Sequence, residues 1–402
     1  MKRFLLVLLC FHLIPSIDSW RSCVWELCEE CLPTQIHDAP GIGFDLTFSY
    51  GTASVHYYNG TIAEVAKIQA HPEYLQLMMR LKGEHKPKPW YDDKSLYATF
   101  LSRLSLSDTT SWGARWRRLN KKLGRPIKAR NDVEIISDLL QELKASTEKE
   151  ISQQIDRVAV TTPDISMNRI VNAALEDLNL RTWVGDSRYY THSLTEADAV
   201  YAANGYGICT YYQDLWDCKT EFEDLPNSQV FTIFYSRHVL YTSITASFSG
   251  MAFDSLNSDE AQLFDFEVGL DHFLQTNGSQ DSLWSRIRSQ LLVLPRKYPY
   301  HLTHIFLAGE SVTHPRFLAL LKDILPELMP ISPPTHINFD TNILDYSTIS
   351  KITDPTFAAS RGAALYARRR QEVPGDCTER PECEVRRNLE RLNLPLPFKE
   401  EL

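Results

Sequence analysis

The chain has 402 residues and a net charge of −9, from 42 basic and 51 acidic side chains. An acidic balance offers no phosphate-neutralising surface, which sets nucleic-acid partners aside. The length allows two lobes, each with a core of its own.

Lys2 and Arg3 precede an apolar run from Phe4 to Ile14, followed by Pro15 and the small residue Ser19. These are the parts of a cleavable signal peptide over 1–19; the run is short for a bilayer, and no membrane span is expected later. A secretory context makes cysteines disulfide candidates. Cys10 falls in the leader. In the Cys-containing segment 20–40, Cys23, Cys28 and Cys31 are expected to bond among themselves, and Cys209–Cys218 and Cys377–Cys383 are local pairs. An odd count leaves one thiol free or bonded to another chain. Asn59 and Asn277 each open an N-x-[ST] glycosylation sequon.

From Gly41 the pattern is strand, tight turn, strand, with Asp45 near the turn; Asn59-Gly60 then supplies a hairpin and Thr61 to Ile68 returns. The basic stretch Arg115–Arg130 reads as the solvated face of a helix and loop. Val133, Ile136, Leu139, Leu140 and Leu143 keep helical spacing and predict a helix over 131–155. A strand at 157–163 and a helix at 166–180 follow. Residues 194–205 predict a helix closed by Gly205, 229–248 a hydrophobic hairpin, and 303–311 a buried strand entering a glycine turn. Helices are predicted over 315–325 and 354–370, then a polar tail. The last residues, Lys399-Glu400-Glu401-Leu402, resemble the Lys-Asp-Glu-Leu retrieval signal, so the endoplasmic-reticulum lumen is expected, with secretion the alternative.

In this order the motifs resemble the nucleotide-binding domain of the seventy-kilodalton heat-shock chaperones, within the actin-like ATPase superfamily. The resemblance runs from Gly41 to about Arg370. It implies an α/β, actin-like ATPase fold with two lobes around a nucleotide cleft. Lobe I would span 41–205, lobe II 206–352, and a helix at 353–371 would return to lobe I, leaving a tail at 372–402. The segment "HIFLAGESVTHPRF" is similar to the family's adenosine-side motif, so Gly309 and Ser311 are the implied nucleoside contacts; Glu310 stands where the family has a second glycine. "LTEADAVYAANGYG" is similar to the connecting helix and keeps Glu196 and Gly205. In the last helix Ala359, Gly362 and Ala363 would allow close packing at the hinge.

The implied first phosphate loop is Asp45-Leu46-Thr47-Phe48-Ser49-Tyr50. Asp45 would hold a magnesium-bound water and Ser49 would offer a hydroxyl beside it, as the family's loop does for ATP or ADP. The other reading makes Asp45 an acid satisfied by turn amides. Thr47 and Phe48 replace the glycine and a hydroxyl of the family pattern. The implied second loop, Thr232 to His238, has neither acid nor glycine; Arg237 and His238 are either anion contacts or an ordinary surface hairpin. Lys94 lies where a catalytic lysine is expected, without its motif, and no counterpart of the family's peptide-binding domain is expected. The expectation is a non-hydrolysing pseudo-ATPase that binds or regulates a protein partner of the secretory pathway. An active chaperone-type ATPase is the alternative, and a small-molecule kinase of the same fold is third.

Overall fold

The structure, a computed structural model, describes residues 27–84, 132–164, 167–183, 194–207, 210, 221, 228–247, 261–271, 280–298, 302–328, 354–372 and 379–394. The signal peptide, Lys94, the stretch 115–130, Asn277, Cys23, Cys209, Cys218, Cys377 and the terminal Lys-Glu-Glu-Leu lie outside the described residues.

A short helix α1 (Thr34–His37) leads into the strands β1 (Gly41–Leu46), β2 (Tyr50–His56) and β3 (Ile62–Gln69), then helix α2 (Pro72–Glu84). Helix α3 (Asp132–Ile151) forms where the sequence spaces its apolar residues. It buries Val133, Ile136, Leu139, Leu140 and Leu143, and carries Asp132 and Glu134 in its first turn, where the helix dipole favours them. Next come β4 (Arg157–Thr162), α4 (Asn168–Asp177), β5 (Arg181–Thr182), β6 (Leu194–Thr195) and α5 (Glu196–Ala203). The second half holds β7 (Ser228–Tyr235), β8 (Leu240–Ser247), β9 (Ala261–Asp265), α6 (Gln280–Lys297), β10 (His304–Ala308) and α7 (Pro315–Leu328). Helices α8 (Ala358–Gln371) and α9 (Pro381–Arg391) close the described chain.

Two mixed sheets result, and they repeat one plan. In the first, ordered β3-β2-β1-β4-β5 with β6 also on β4, the strand β1 pairs antiparallel with β2 and parallel with β4. In the second, ordered β10-β7-β8-β9, the strand β7 pairs antiparallel with β8 and parallel with β10. Each half is thus a three-strand meander, a helical crossover (α2 and α3 in the first half, α6 in the second, among the described residues), a strand returning parallel to the first, and a further helix; parallel return needs such a crossover. One core runs through the first sheet and takes in Val230, Phe234, Val239, Tyr241, Phe306 and Ala308 of the second half; a separate core fills the other side of the second sheet.

Helix α8 lies directly on β1 because the strand offers no side chains in its way. A Cβ on Gly43 would come within 2.1 Å of the Ala364 nitrogen, and one on Gly362 within 1.9 Å of the Ala199 oxygen on α5. Between α8 and β2, Ser54 and Ser360 share a hydrogen bond of 2.8 Å. The α/β class expected from the sequence is therefore observed, as is the helix closed by Gly205, whose φ is +85°.

The two ends of the described chain depart from expectation. Cys31 pairs with Cys383, not with a neighbour in the N-terminal segment, and this also displaces the expected Cys377–Cys383 pair. Cys28 is disulfide-bonded too. The physical reason is that residues 381–391, read as polar tail, form a helix that packs on α1. Arg387, 4% exposed, binds Glu379 and Glu384, and Arg391 forks onto Asp38 at 2.7 and 2.8 Å. Tyr58, at the β2–β3 turn, lies under the Arg391 guanidinium at 4.4 Å.

Candidate functional site

Asp45 stands near the end of β1, opposite Thr52 of β2 and beside Thr161 of β4. Its carboxyl is buried, receives a 2.8 Å hydrogen bond from the Thr161 hydroxyl, and is hydrogen-bonded to Glu196, the first residue of α5, which is also buried. Burial pushes Asp45 up to about 7, against the pull of those two hydrogen bonds. Two residues on, burial also raises Asp198 to about 6; it accepts from the hydroxyl of the N-cap Thr195, whose oxygen in turn accepts from the Asp198 backbone N–H. Glu196 entered the sequence reading as a retained motif residue; its contact with Asp45 has no sequence signal, since 151 positions separate them.

The turn after Asp45 is closed on itself. Thr47 donates its backbone N–H to the Tyr50 carbonyl, and its hydroxyl accepts from the N–H groups of Ser49 and Tyr50 at 3.3 and 3.1 Å. The Tyr74 hydroxyl pins the Thr47 carbonyl from α2 at 2.8 Å. The corresponding turn of the second sheet repeats this arrangement with Ser236. The Ser236 N–H donates to the Val239 carbonyl, and its hydroxyl accepts from His238 and Val239 at 3.3 and 3.2 Å. A phosphate loop offers its backbone N–H groups to an anion; in both turns two of those donors already bond a side-chain oxygen.

The pairing registers also place Phe234 of β7 at the position Asp45 holds in β1: Asp45 opposes Thr52, and Phe234 opposes Tyr241. Phe234 stacks on Tyr241 at 4.8 Å, and Tyr241 on Phe264 at 4.5 Å with a 4° interplanar angle. Phe48, at the tip of the first turn and 3% exposed, drives its ring edge-on into this stack. Its centroid lies 5.2 Å from Phe264, 5.4 Å from Phe266 and 6.0 Å from Tyr241.

Gly309 needs its glycine for two reasons: its φ is +100°, and a Cβ would sit 2.5 Å from the Tyr235 carbonyl oxygen. Its N–H donates to Pro355, and the Ser311 N–H to Tyr235, so both residues knit the turn to neighbouring backbone. Glu310, between them, reaches the first sheet. Its carboxylate forms an ion pair with Lys67 of β3 and accepts from the Arg237 N–H at 3.3 Å, and its side chain is 7% exposed. Tyr50 lies in the middle, with the Lys67 ammonium 5.0 Å from its ring and a hydrogen bond from the Glu310 backbone. Burial, with Asp45, Glu310 and Glu196 nearby, holds its phenol well above the usual range, so it stays neutral.

The structure thus brings Asp45, Ser49, Gly309 and Ser311 to the same junction of the two sheets. The Ser49 carbonyl accepts from Ala70 and Gln69, and its side-chain oxygen is buried. Arg237 pairs with Asp271, six residues past the end of β9, at 2.9 Å, a contact in keeping with a surface-hairpin residue. Among the described residues no group of three His, Cys, Asp or Glu side chains gathers as a metal-ligand set. Lys67 was missed in the sequence because an alternating edge strand gives a lysine no distinguishing mark. A scan against protein-family models finds no match, and neither does a search of curated proteins.

Proposed function

We propose that the chain is an actin-like, heat-shock-chaperone-like pseudo-ATPase of the secretory pathway, which binds or regulates a protein partner without hydrolysing ATP. The repeated meander–helix–strand–helix plan, with α8 returning onto β1, supports the two-lobed fold. The observation that carries the loss of hydrolysis is the filled junction. Phosphoryl transfer runs on metal, cation and backbone donors placed around the phosphates. Here Thr47 and Ser236 take turn donors, Phe234 replaces the second acid, and Phe48 fills the space between the sheets. Glu310 adds a buried carboxylate on the nucleoside side, held by Lys67. Magnesium nucleotide does not fit this set of side chains.

The active ATPase stands as a second reading on one observation, the buried Asp45–Glu196 pair. Steady-state phosphate release with magnesium and ATP separates the two. We expect no turnover above that of the Asp45→Ala variant; turnover that disappears in the variant restores the ATPase. A lumenal setting rests on the leader, the terminal Lys-Glu-Glu-Leu and the Cys31–Cys383 disulfide, a bond that persists in oxidising compartments. Deleting residues 399–402 is expected to raise secretion into the medium.

A further inference from the structure

The loop joining β2 and β3 carries a feature that the junction does not use. We infer that Asn59 is an acceptor for N-linked glycosylation, an inference that rests on the lumenal reading above.

The turn is a three-residue hairpin loop, Tyr58-Asn59-Gly60. The Tyr57 N–H donates to the Thr61 carbonyl, the Gly60 N–H donates to the Tyr57 carbonyl, and Gly60 takes φ +82°. Asn59, Gly60 and Thr61 are all exposed. That much any hairpin needs. What exceeds it is the contact between the two chemically essential residues of the sequon. The Asn59 Oδ1 accepts from the Thr61 N–H at 3.0 Å and from the Thr61 hydroxyl at 2.6 Å. Because a backbone N–H can only donate, the first of these bonds fixes which corner of the amide is oxygen. The nitrogen Nδ2 is then the outer corner, and it makes no hydrogen bond to any described residue.

This geometry suits transfer in two ways. The nucleophilic nitrogen faces solvent with no contact to break, and the Thr61 hydroxyl draws electron density from the carbonyl, which eases loss of a proton from Nδ2. The donor is a lipid-pyrophosphate-linked oligosaccharide. A bond forms between Asn59 Nδ2 and C1 of the first sugar, the bond from C1 to the pyrophosphate oxygen breaks, and the lipid pyrophosphate leaves with the electron pair. The Nδ2 proton passes to a base of the transferase. The hydrogen bonds concerned span three residues, so they need neither residues 381–391 nor the Cys31–Cys383 bond. The attached sugar would then emerge beside Tyr58, which Arg391 covers.

The test is expression of the full chain in cells with a secretory pathway, with Asn277→Gln to remove the other sequon. A fused acceptor peptide with its own sequon reports entry into the lumen. Glycan-removing enzyme and intact mass then count the oligosaccharides. We expect one glycan beyond the reporter's, lost in Asn59→Gln and Thr61→Ala and kept in Thr61→Ser. A glycosylated reporter with Asn59 bare overturns the inference and leaves the lumenal reading standing. A bare reporter overturns both.

Discussion

Thr47 and Ser236 hold the same place in the two sheets: each opens the turn after the first strand, and each hydroxyl accepts from two N–H groups of its own turn. A fold that repeats its meander has two such turns facing one junction, and here both are closed by the same device. Phe48, next to Thr47, packs its ring against Tyr241, Phe264 and Phe266 of the second half.

Removing the Phe48 ring leaves a cavity bounded by Tyr241, Phe264 and Phe266. The variant Phe48→Ala is expected to lose about 3–5 kcal/mol of stability, read by chemical denaturation. Phe48→Leu should lose less. If Phe48→Ala is as stable as the parent, the ring does not hold the two sheets together.

The pH dependence has a definite sign. Asp45 is raised from 3.8 to about 7, so between roughly pH 4 and pH 7 the folded chain holds a proton that the unfolded chain has released. Stability therefore falls as pH rises through this window and levels off above it. Asp198, raised to about 6, adds in the same direction. Asn at position 45 keeps an acceptor for Thr161 and a donor for Glu196, yet does not titrate. Thermal melts from pH 5 to pH 8 should show a shallower slope for Asp45→Asn, with its largest advantage over the parent at pH 8. An unchanged slope would mean that Asp45 is not the group that titrates.

The Lys67–Glu310 pair joins an edge strand of one sheet to a turn of the other. Lys67→Met strands a nearly buried carboxylate and should cost about 1–3 kcal/mol. Glu310→Gln in the same background should recover most of that loss, because the charge is then gone. A double-mutant cycle in denaturant measures this coupling; additive losses would refute it. Since Lys67 is one-third exposed, added salt should weaken the coupling.

The individual strands and helices were largely legible in the sequence for local reasons, whereas the repeat that relates the two sheets was not. Apolar alternation, the Asn59-Gly60 turn and the helical spacing from Val133 to Leu143 each act over a few residues. The motifs around Asp45 and Gly309 were visible as well, and both meet at the junction. What each substitution does there was not visible. Phe48 reads as a lost hydroxyl until its partners, more than 190 positions away, stand beside it. Glu310 reads as added bulk until Lys67 faces it. The clasp of α1 and α9 was misread because Cys31 and Cys383 are 352 positions apart, and a highly charged helix resembles a solvated tail when Asp38, the acid that Arg391 meets, is at the other end of the chain.

Breaking that clasp should be a local event. Cys31→Ser is expected to raise hydrogen exchange across 381–391 and to lower stability by about 2–5 kcal/mol, while exchange in β1 and β7 stays slow. Peptide mapping under non-reducing conditions should recover Cys31 joined to Cys383. Recovery of Cys377 joined to Cys383 would contradict the structure.

The central claim is the proposal that this junction binds no nucleotide, and titration calorimetry tests it most directly. Purified full chain is titrated with ATP and with ADP, each with and without magnesium, beside the variant Asp45→Ala. The account predicts no saturable heat in any of these titrations. Saturable, magnesium-dependent binding of ATP that is lost in Asp45→Ala would contradict it.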